Sequence, residues 1–244
     1  MANSPAKRHY QRTLAAQEAA GKAPGQLMAG ATAYEQHMAM LQHDRLRLKQ
    51  VQSDQGKAEL KRQMLPAYGP YLEGVLESGN GAQDEVVTTL MVWCFDVGAF
   101  REGLAIAAYV LQHNMAMPDR FARTTGCLVA EEIAEAALKA QRIGEPFEVG
   151  VLEEAAYLTR SQDMPDEVRA KLSLALGRAL LKQAEDASEA IDAGLPLDKA
   201  VEYFKSAIGL HSACGAKKDL ERAERLLKKH AATPPANAGD GASS

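Results

Sequence analysis

The chain has 244 residues, 46% of them apolar and 25% charged, with a net charge of −4. That is length and apolar content enough for one substantial core or two small ones, and it excludes a chain disordered throughout. The N-terminus carries no apolar leader and no run of about 18 apolar residues occurs anywhere, so neither export nor membrane spanning is expected.

The charge is unevenly distributed. Residues 1–64 hold ten Lys/Arg against five Asp/Glu, residues 65–176 eight against seventeen, and residues 177–244 ten of each. A basic N-terminal part therefore joins an acidic middle. The three cysteines, Cys94, Cys127 and Cys214, are far apart within apolar helical patterns, which points to buried thiols in a reducing, cytosolic compartment.

Ser4-Pro5 starts a helix, with Ser as N-cap and Pro in the first turn, and Gly21 lies just past its end. Gly21 to Gly30 reads as a linker. Thr32 to Glu35 has capping-box spacing and opens a long helical pattern that no proline interrupts before Met64, although Gly56 weakens its middle. Tyr34, Met38, Leu41 and Leu48 form a heptad-like seam, broken by Arg45. That seam suits either an amphipathic helix packing on its own domain or a self-association helix.

Pro66 and Pro70 bracket a helix start leading to Gly79. The stretch Gly79 to Pro118 is the expected centre of the fold. Val86 to Phe95 carries no charge and is apolar on more than one face, as a buried helix is, and after a turn at Asp96-Val97-Gly98 a second helix places Phe100, Leu104, Ala107 and Leu111 at helical spacing. The hairpin so formed contains the single Trp, Trp93, which is expected to be buried.

Beyond a polar connection containing Arg120, Arg123, Thr124 and Thr125, a helix sets Val129, Ile133, Ala136 and Ala140 inward, and Gly144 and Pro146 end it. A short helix over Val151–Thr159 and a longer one from Met164-Pro165-Asp166-Glu167 to about Gln183 follow. Glu185 to Pro196 reads as loop or brief helix, Leu197–His211 and Ala216–His230 as helices, and Thr233 to Ser244 as a disordered tail. Gly98 to Val110 and Leu195 to Ala207 share the small-and-bulky spacing of the second helix of a tetratricopeptide repeat, without its regular period.

The expected fold is therefore all-α: stacked helical hairpins, partly tetratricopeptide-like, with a long N-terminal helix. The segments are a basic arm and linker over 1–30, the long helix over 31–66, a central helical core over 67–184, a C-terminal hairpin over 185–230 and the tail over 231–244.

Catalytic motifs are sparse. Gly25 to Thr32 has G-x-x-x-x-G spacing, but Ala31 stands where a phosphate-binding loop needs lysine, so ATP hydrolysis is not expected. The six histidines show no zinc spacing and read as surface or helix-end residues. Glu131, Glu132 and Glu135 could bind a divalent metal with Asp163 or Asp166, but a solvated helix face with Glu135 paired to Lys139 explains them better. The single acidic-x-Lys triplet, Glu59-Leu60-Lys61, lies upstream on a helix, unlike the strand-borne nuclease motif. No cofactor and no metal are expected.

Basic residues offer the better lead. Lys7, Arg8, Arg12 and Lys22 on the arm, with Arg45, Arg47 and Lys49 on the long helix, suit phosphate contacts, and Lys218, Arg222, Arg225 and Lys229 form a second stripe flanked by Glu221 and Glu224.

Particular residues also carry a resemblance: Ser4-Pro5-Ala6-x-Arg8-His9, Tyr34-Glu35-Gln36, Leu65-Pro66, Gly74-Val75-Leu76-Glu77-x-Gly79-x-Gly81-Ala82-Gln83-Asp84, Met91-x-Trp93, Asp96-x-Gly98, Met117-Pro118, Met164 to Leu172 and Gly215-x-Lys217-Lys218. Through these the chain resembles the small subunit of the DNA-packaging terminase of temperate, contractile-tailed phages, often named the terminase endonuclease subunit. The resemblance implies a homo-oligomer in the host cytoplasm that binds the cohesive-end site on double-stranded viral DNA and directs a large subunit carrying ATPase and cutting centres. A helical adaptor for the large subunit or portal that touches no DNA is the alternative, and an intrinsic endonuclease a second. The endonuclease label brings no catalytic motif that these residues match.

Overall fold

The computed structural model describes residues 4–118, 123–187 and 190–231, with only the backbone described over 190–193. The expected tail from Thr233 and the connection at Arg120 lie outside the described residues. Among the described residues, eleven α-helices and one short 3-10 turn make up the regular structure, with no strand beyond an isolated bridge between Leu27 and Gln83. The fold is all-α, as expected. It divides into two compact units, one of residues 1–132 with 154–163, the other of residues 133–153 with 164–244.

The first unit begins with α1 (Pro5–Ala20), capped by Ser4, whose hydroxyl accepts from the Lys7 amide at 3.3 Å. Ala15 and Ala19 of α1 are buried, and α1 packs along α4 (Gly69–Ser78). The approach is close because Gly74 has no side chain: a Cβ there would stand 2.3 Å from the carbonyl oxygen of Arg12. The segment expected as a linker is docked. Gly25 N–H donates to Gly81 O (2.9 Å), Gln83 N–H to Gln26 O (2.8 Å) and Met28 N–H to Gln83 O (3.2 Å), with Met28 buried below.

The long helix expected over 31–66 is two helices, α2 (Thr32–Lys49) and α3 (Asp54–Met64). Ser53 causes the break: its hydroxyl accepts from Gly56 N–H at 3.0 Å and caps α3, which a continuing helix would forbid. The capping box expected at Thr32 is also replaced. Ala31 is the N-cap and supplies no side chain, Glu35 accepts instead from Gly30 N–H (2.9 Å), and Glu18 reaches across from α1 to accept from Ala33 N–H (2.8 Å).

On α2 the buried face is Ala33, His37, Leu41, Asp44 and Leu48, while Tyr34 and Met38 of the expected seam are half-buried. Apolar periodicity misses this face because two of its members are polar residues with partners inside. Leu65–Ala67 then forms the 3-10 turn that leads into α4.

The central hairpin is α5 (Glu85–Asp96) and α6 (Phe100–Gln112). Every residue from Val86 to Phe95 is buried, and Trp93 packs its ring edge against Tyr68, with centroids 6.2 Å apart. Thr88 and Thr89 tolerate this burial because their hydroxyls donate to the carbonyls of Asp84 (3.2 Å) and Glu85 (2.7 Å).

Helix α7 (Thr125–Arg142) and α8 (Val149–Thr159) each contribute to both units. The second unit is built on α9 (Asp166–Asp186), packed along α10 (Ala190–Leu210), with α11 (Lys217–Ala231) against α10. Helix α10 begins before the expected Leu197 and runs through Pro196, without the one backbone bond that Pro cannot donate. Both helix pairs close in the same manner: the ring of Phe95 fills the space above Gly103, and that of Phe204 the space above Gly177.

Candidate nucleic-acid interface

The seven basic residues singled out in the sequence all lie in the first unit. On α1, Arg8 and Arg12 are one turn apart and face Glu73 and Glu77, one turn apart on α4. Arg12 donates from Nε to Glu77 at 3.1 Å and from a second guanidinium nitrogen to the other Glu77 oxygen, while Arg8 and Arg12 each stand 4.0 Å from Glu73. The fork-to-carboxylate hydrogen bonds hold Glu77 below the usual carboxylate range and raise Arg12.

Arg45 of α2 is half-buried and donates to Glu85 (2.7 Å) and to the Thr89 hydroxyl (2.9 Å), tying α2 to the first turns of α5. Arg47 donates to Asp44 at 3.0 Å. The three lysines differ. Lys22 donates to the carbonyl of Ala29 (3.3 Å), and Lys7 and Lys49 are exposed with no ion pair among the described residues. Thus each arginine of the set is matched to a carboxylate and each lysine is not. The structure brings Arg8 and Arg12 together over one acidic pair and sends Arg45 and Arg47 to separate partners.

On α11 of the second unit, Lys218, Arg222, Arg225 and Lys229 are exposed. Arg222 pairs with Glu185 at 2.6 Å, and Glu224 beside the stripe pairs with Lys205 at 3.3 Å.

Sequence reading misses a set of polar groups beneath α2. Asp84 is fully buried, caps α5 by accepting from Val87 N–H (3.0 Å), and accepts from the Tyr71 hydroxyl at 2.5 Å. Burial outweighs these hydrogen bonds and pushes its carboxyl up to about 6. His37 is also buried, correcting its expected surface position: its ring stacks on Tyr71 with centroids 4.3 Å apart, its Nδ1 lies 2.7 Å from Ala33 O, and burial lowers its pKa. Asp44 accepts from the Tyr68 hydroxyl at 2.9 Å. An Asp two residues ahead of the uncharged run that starts at Val86 is the available signal for Asp84, as an N-cap. His37 and Asp44 have none.

Two members of the acidic trio on α7 are engaged in ion pairs. Glu131 pairs with Arg123, and Glu135 pairs with Lys171 at 2.7 Å rather than with Lys139, the partner that helical spacing suggests. Among the described residues no group of three or more His, Cys, Asp or Glu side chains could hold a metal ion, and no helix is long and apolar enough to cross a membrane. Cys94 and Cys127 are buried as expected, and burial pushes the Cys94 thiol up to about 12, whereas Cys214 is half-exposed. The loop with phosphate-loop spacing is the one docked on Gly81 and Gln83.

Known proteins match this chain along most of its length. The family model described as "Phage small terminase subunit" covers residues 38–167. The "Terminase, endonuclease subunit" of Escherichia phage P2 is 39% identical over 92% of this chain and 86% of its own length. The "Probable terminase, endonuclease subunit" of Haemophilus phage HP1 (strain HP1c1) is 26% identical over 68% of this chain and 60% of its own length. No solved structure matches.

Proposed function

Because the chain belongs to the phage small terminase subunit family, a family of viral DNA packaging, we propose that it binds the cohesive-end site on double-stranded viral DNA and directs a large ATPase and nuclease subunit to it. The observation that supports DNA binding in the first unit is the exposed, unmatched charge of Lys7 and Lys49, with Lys22 held only by a carbonyl. Lysines without a carboxylate partner can neutralise phosphates at no cost in broken ion pairs. Arg8, Arg12, Arg45 and Arg47 already have carboxylates beside them, so their contacts to phosphate compete with those pairs.

A gel shift on cohesive-end duplex, with wild type and the Lys7→Ala/Lys22→Ala/Lys49→Ala variant over a range of salt, tests this reading. The variant should bind more weakly, with a salt slope shallower by about 0.9 for each phosphate that it no longer neutralises. Equal affinity and slope would remove the lysines from the interface.

One observation favours a second reading. Each of the four arginines stands beside a carboxylate, and the chain from 65 to 176 is nine charges net negative, which suits a protein partner. In that reading the chain is an adaptor for the large subunit or portal. Co-purification with the large subunit, without binding to any duplex at low salt, would select it. Assembly as a homo-oligomer belongs to both readings, although Leu41 and Leu48 of the α2 seam are buried within the chain's own fold.

A further inference from the structure

We propose that Glu73 and Glu77 are built-in counter-ions of the DNA-binding face: in the free protein Glu77 occupies two guanidinium donors of Arg12 and Glu73 sets a carboxylate 4.0 Å from both Arg8 and Arg12, so that backbone phosphates must compete with them on binding and affinity for duplex of any sequence is limited. The inference rests on the DNA-binding reading.

Its basis is geometric. A guanidinium offers a parallel pair of N–H groups that fits a carboxylate or a phosphate equally well. Arg12 commits such a pair to the two oxygens of Glu77, and its remaining terminal nitrogen lies 4.0 Å from Glu73, which Arg8 also approaches at 4.0 Å. The register comes from the helix crossing. Both pairs repeat at four residues, and Gly74, between the two glutamates, brings the α4 backbone against that of α1 at Arg12.

The site is open to an incoming strand, since the four side chains keep 44–58% of their surface exposed. Displaced carboxylates would remain beside the phosphates and repel them. A duplex offering phosphates alone thus meets a charge that an equally basic face lacking glutamates would not carry, and Lys7, one residue before Arg8, is left to meet the strand first.

The test uses the full chain, an unrelated duplex and a cohesive-end duplex of equal length. Glu73→Gln/Glu77→Gln should bind the unrelated duplex roughly fivefold tighter at fixed salt. Its plot of log affinity against log salt should steepen by up to two neutralised phosphates, about 0.9 each. Adding Arg8→Ala/Arg12→Ala to that background should abolish the gain. Glu77→Asp, which keeps the charge but shortens the reach, should give a smaller gain and serves if the double variant loses helicity.

Unchanged affinity and slope in a protein whose wild type binds DNA would overturn the inference alone, as would a gain that survives loss of both arginines. If neither wild type nor any variant binds duplex at low salt, the DNA-binding reading itself fails and takes the inference with it.

Discussion

Asp84 is a fully buried carboxyl whose titration is moved toward neutral pH. Its carboxyl titrates at about 6 in the folded protein and near 3.9 when unfolded, because burial disfavours the charge more than Tyr71 and the backbone amides support it. A raised carboxyl binds its proton more tightly in the folded state. That contribution to stability is complete below about pH 4 and is lost as pH rises through about 6, a change of about 3 kcal/mol. His37 acts in the opposite sense: its lowered pKa costs stability as pH falls below about 6.5. The raw pH profile therefore mixes the two, and a difference isolates one. Urea unfolding of wild type and Asp84→Asn from pH 4 to 8 should show their stability difference moving in favour of the variant up to about pH 6 and flat above pH 7; a constant difference would show that Asp84 does not titrate in that window. Neither group's environment was legible in the sequence. The N-cap position of Asp84 was readable, but its burial depends on Tyr71 thirteen residues away, and His37 sits on a face that apolar periodicity assigns to its neighbours.

At the scale of elements, the central hairpin was legible to within a residue or two because Val86 to Phe95 has no charge and Asp96-Val97-Gly98 can only turn. The division of residues 31–66 was not, because a single hydroxyl decides it: Ser53 caps α3, and nothing in the flanking periodicity marks that position. The closeness of α1 and α4 was equally invisible, since Gly74 reads as an ordinary helix interior residue until the second backbone is in place. That closeness gives a sharp expectation. With the Arg12 carbonyl 2.3 Å and the Ala16 nitrogen 2.9 Å from a new Cβ, Gly74→Ala cannot be absorbed by a side chain moving aside, so the helices must separate. We expect a loss of about 1–3 kcal/mol, the usual cost of overpacking, despite alanine's better helix propensity. Thermal unfolding measures it, and a variant as stable as wild type would mean that α1 is held more loosely than this close approach indicates. The Arg12–Glu77 bond should weaken in the same variant, because its register depends on that crossing.

At the scale of the whole molecule the open question is cutting, where the relatives' names and these residues diverge. Proteins 39% and 26% identical to this one are named endonuclease subunits. A two-metal cutting site needs carboxylates that converge on ions about 4 Å apart, with charge to spare for them. Two of the carboxylates that the sequence puts forward are engaged elsewhere, Glu131 with Arg123 and Glu135 with Lys171. A metal ion would have to break one ion pair for each of these ligands that it gained. We therefore expect cleavage to depend on the large subunit, with this chain contributing where the cut falls. The purified chain should leave cohesive-end DNA intact in magnesium or manganese, and adding the large subunit should restore cutting at the site. Cleavage by this chain alone, abolished by Glu131→Gln/Glu132→Gln/Glu135→Gln, would place the chemistry on α7. It would also require the Arg123 and Lys171 pairs to open when metal binds, which the salt dependence of that cleavage would report.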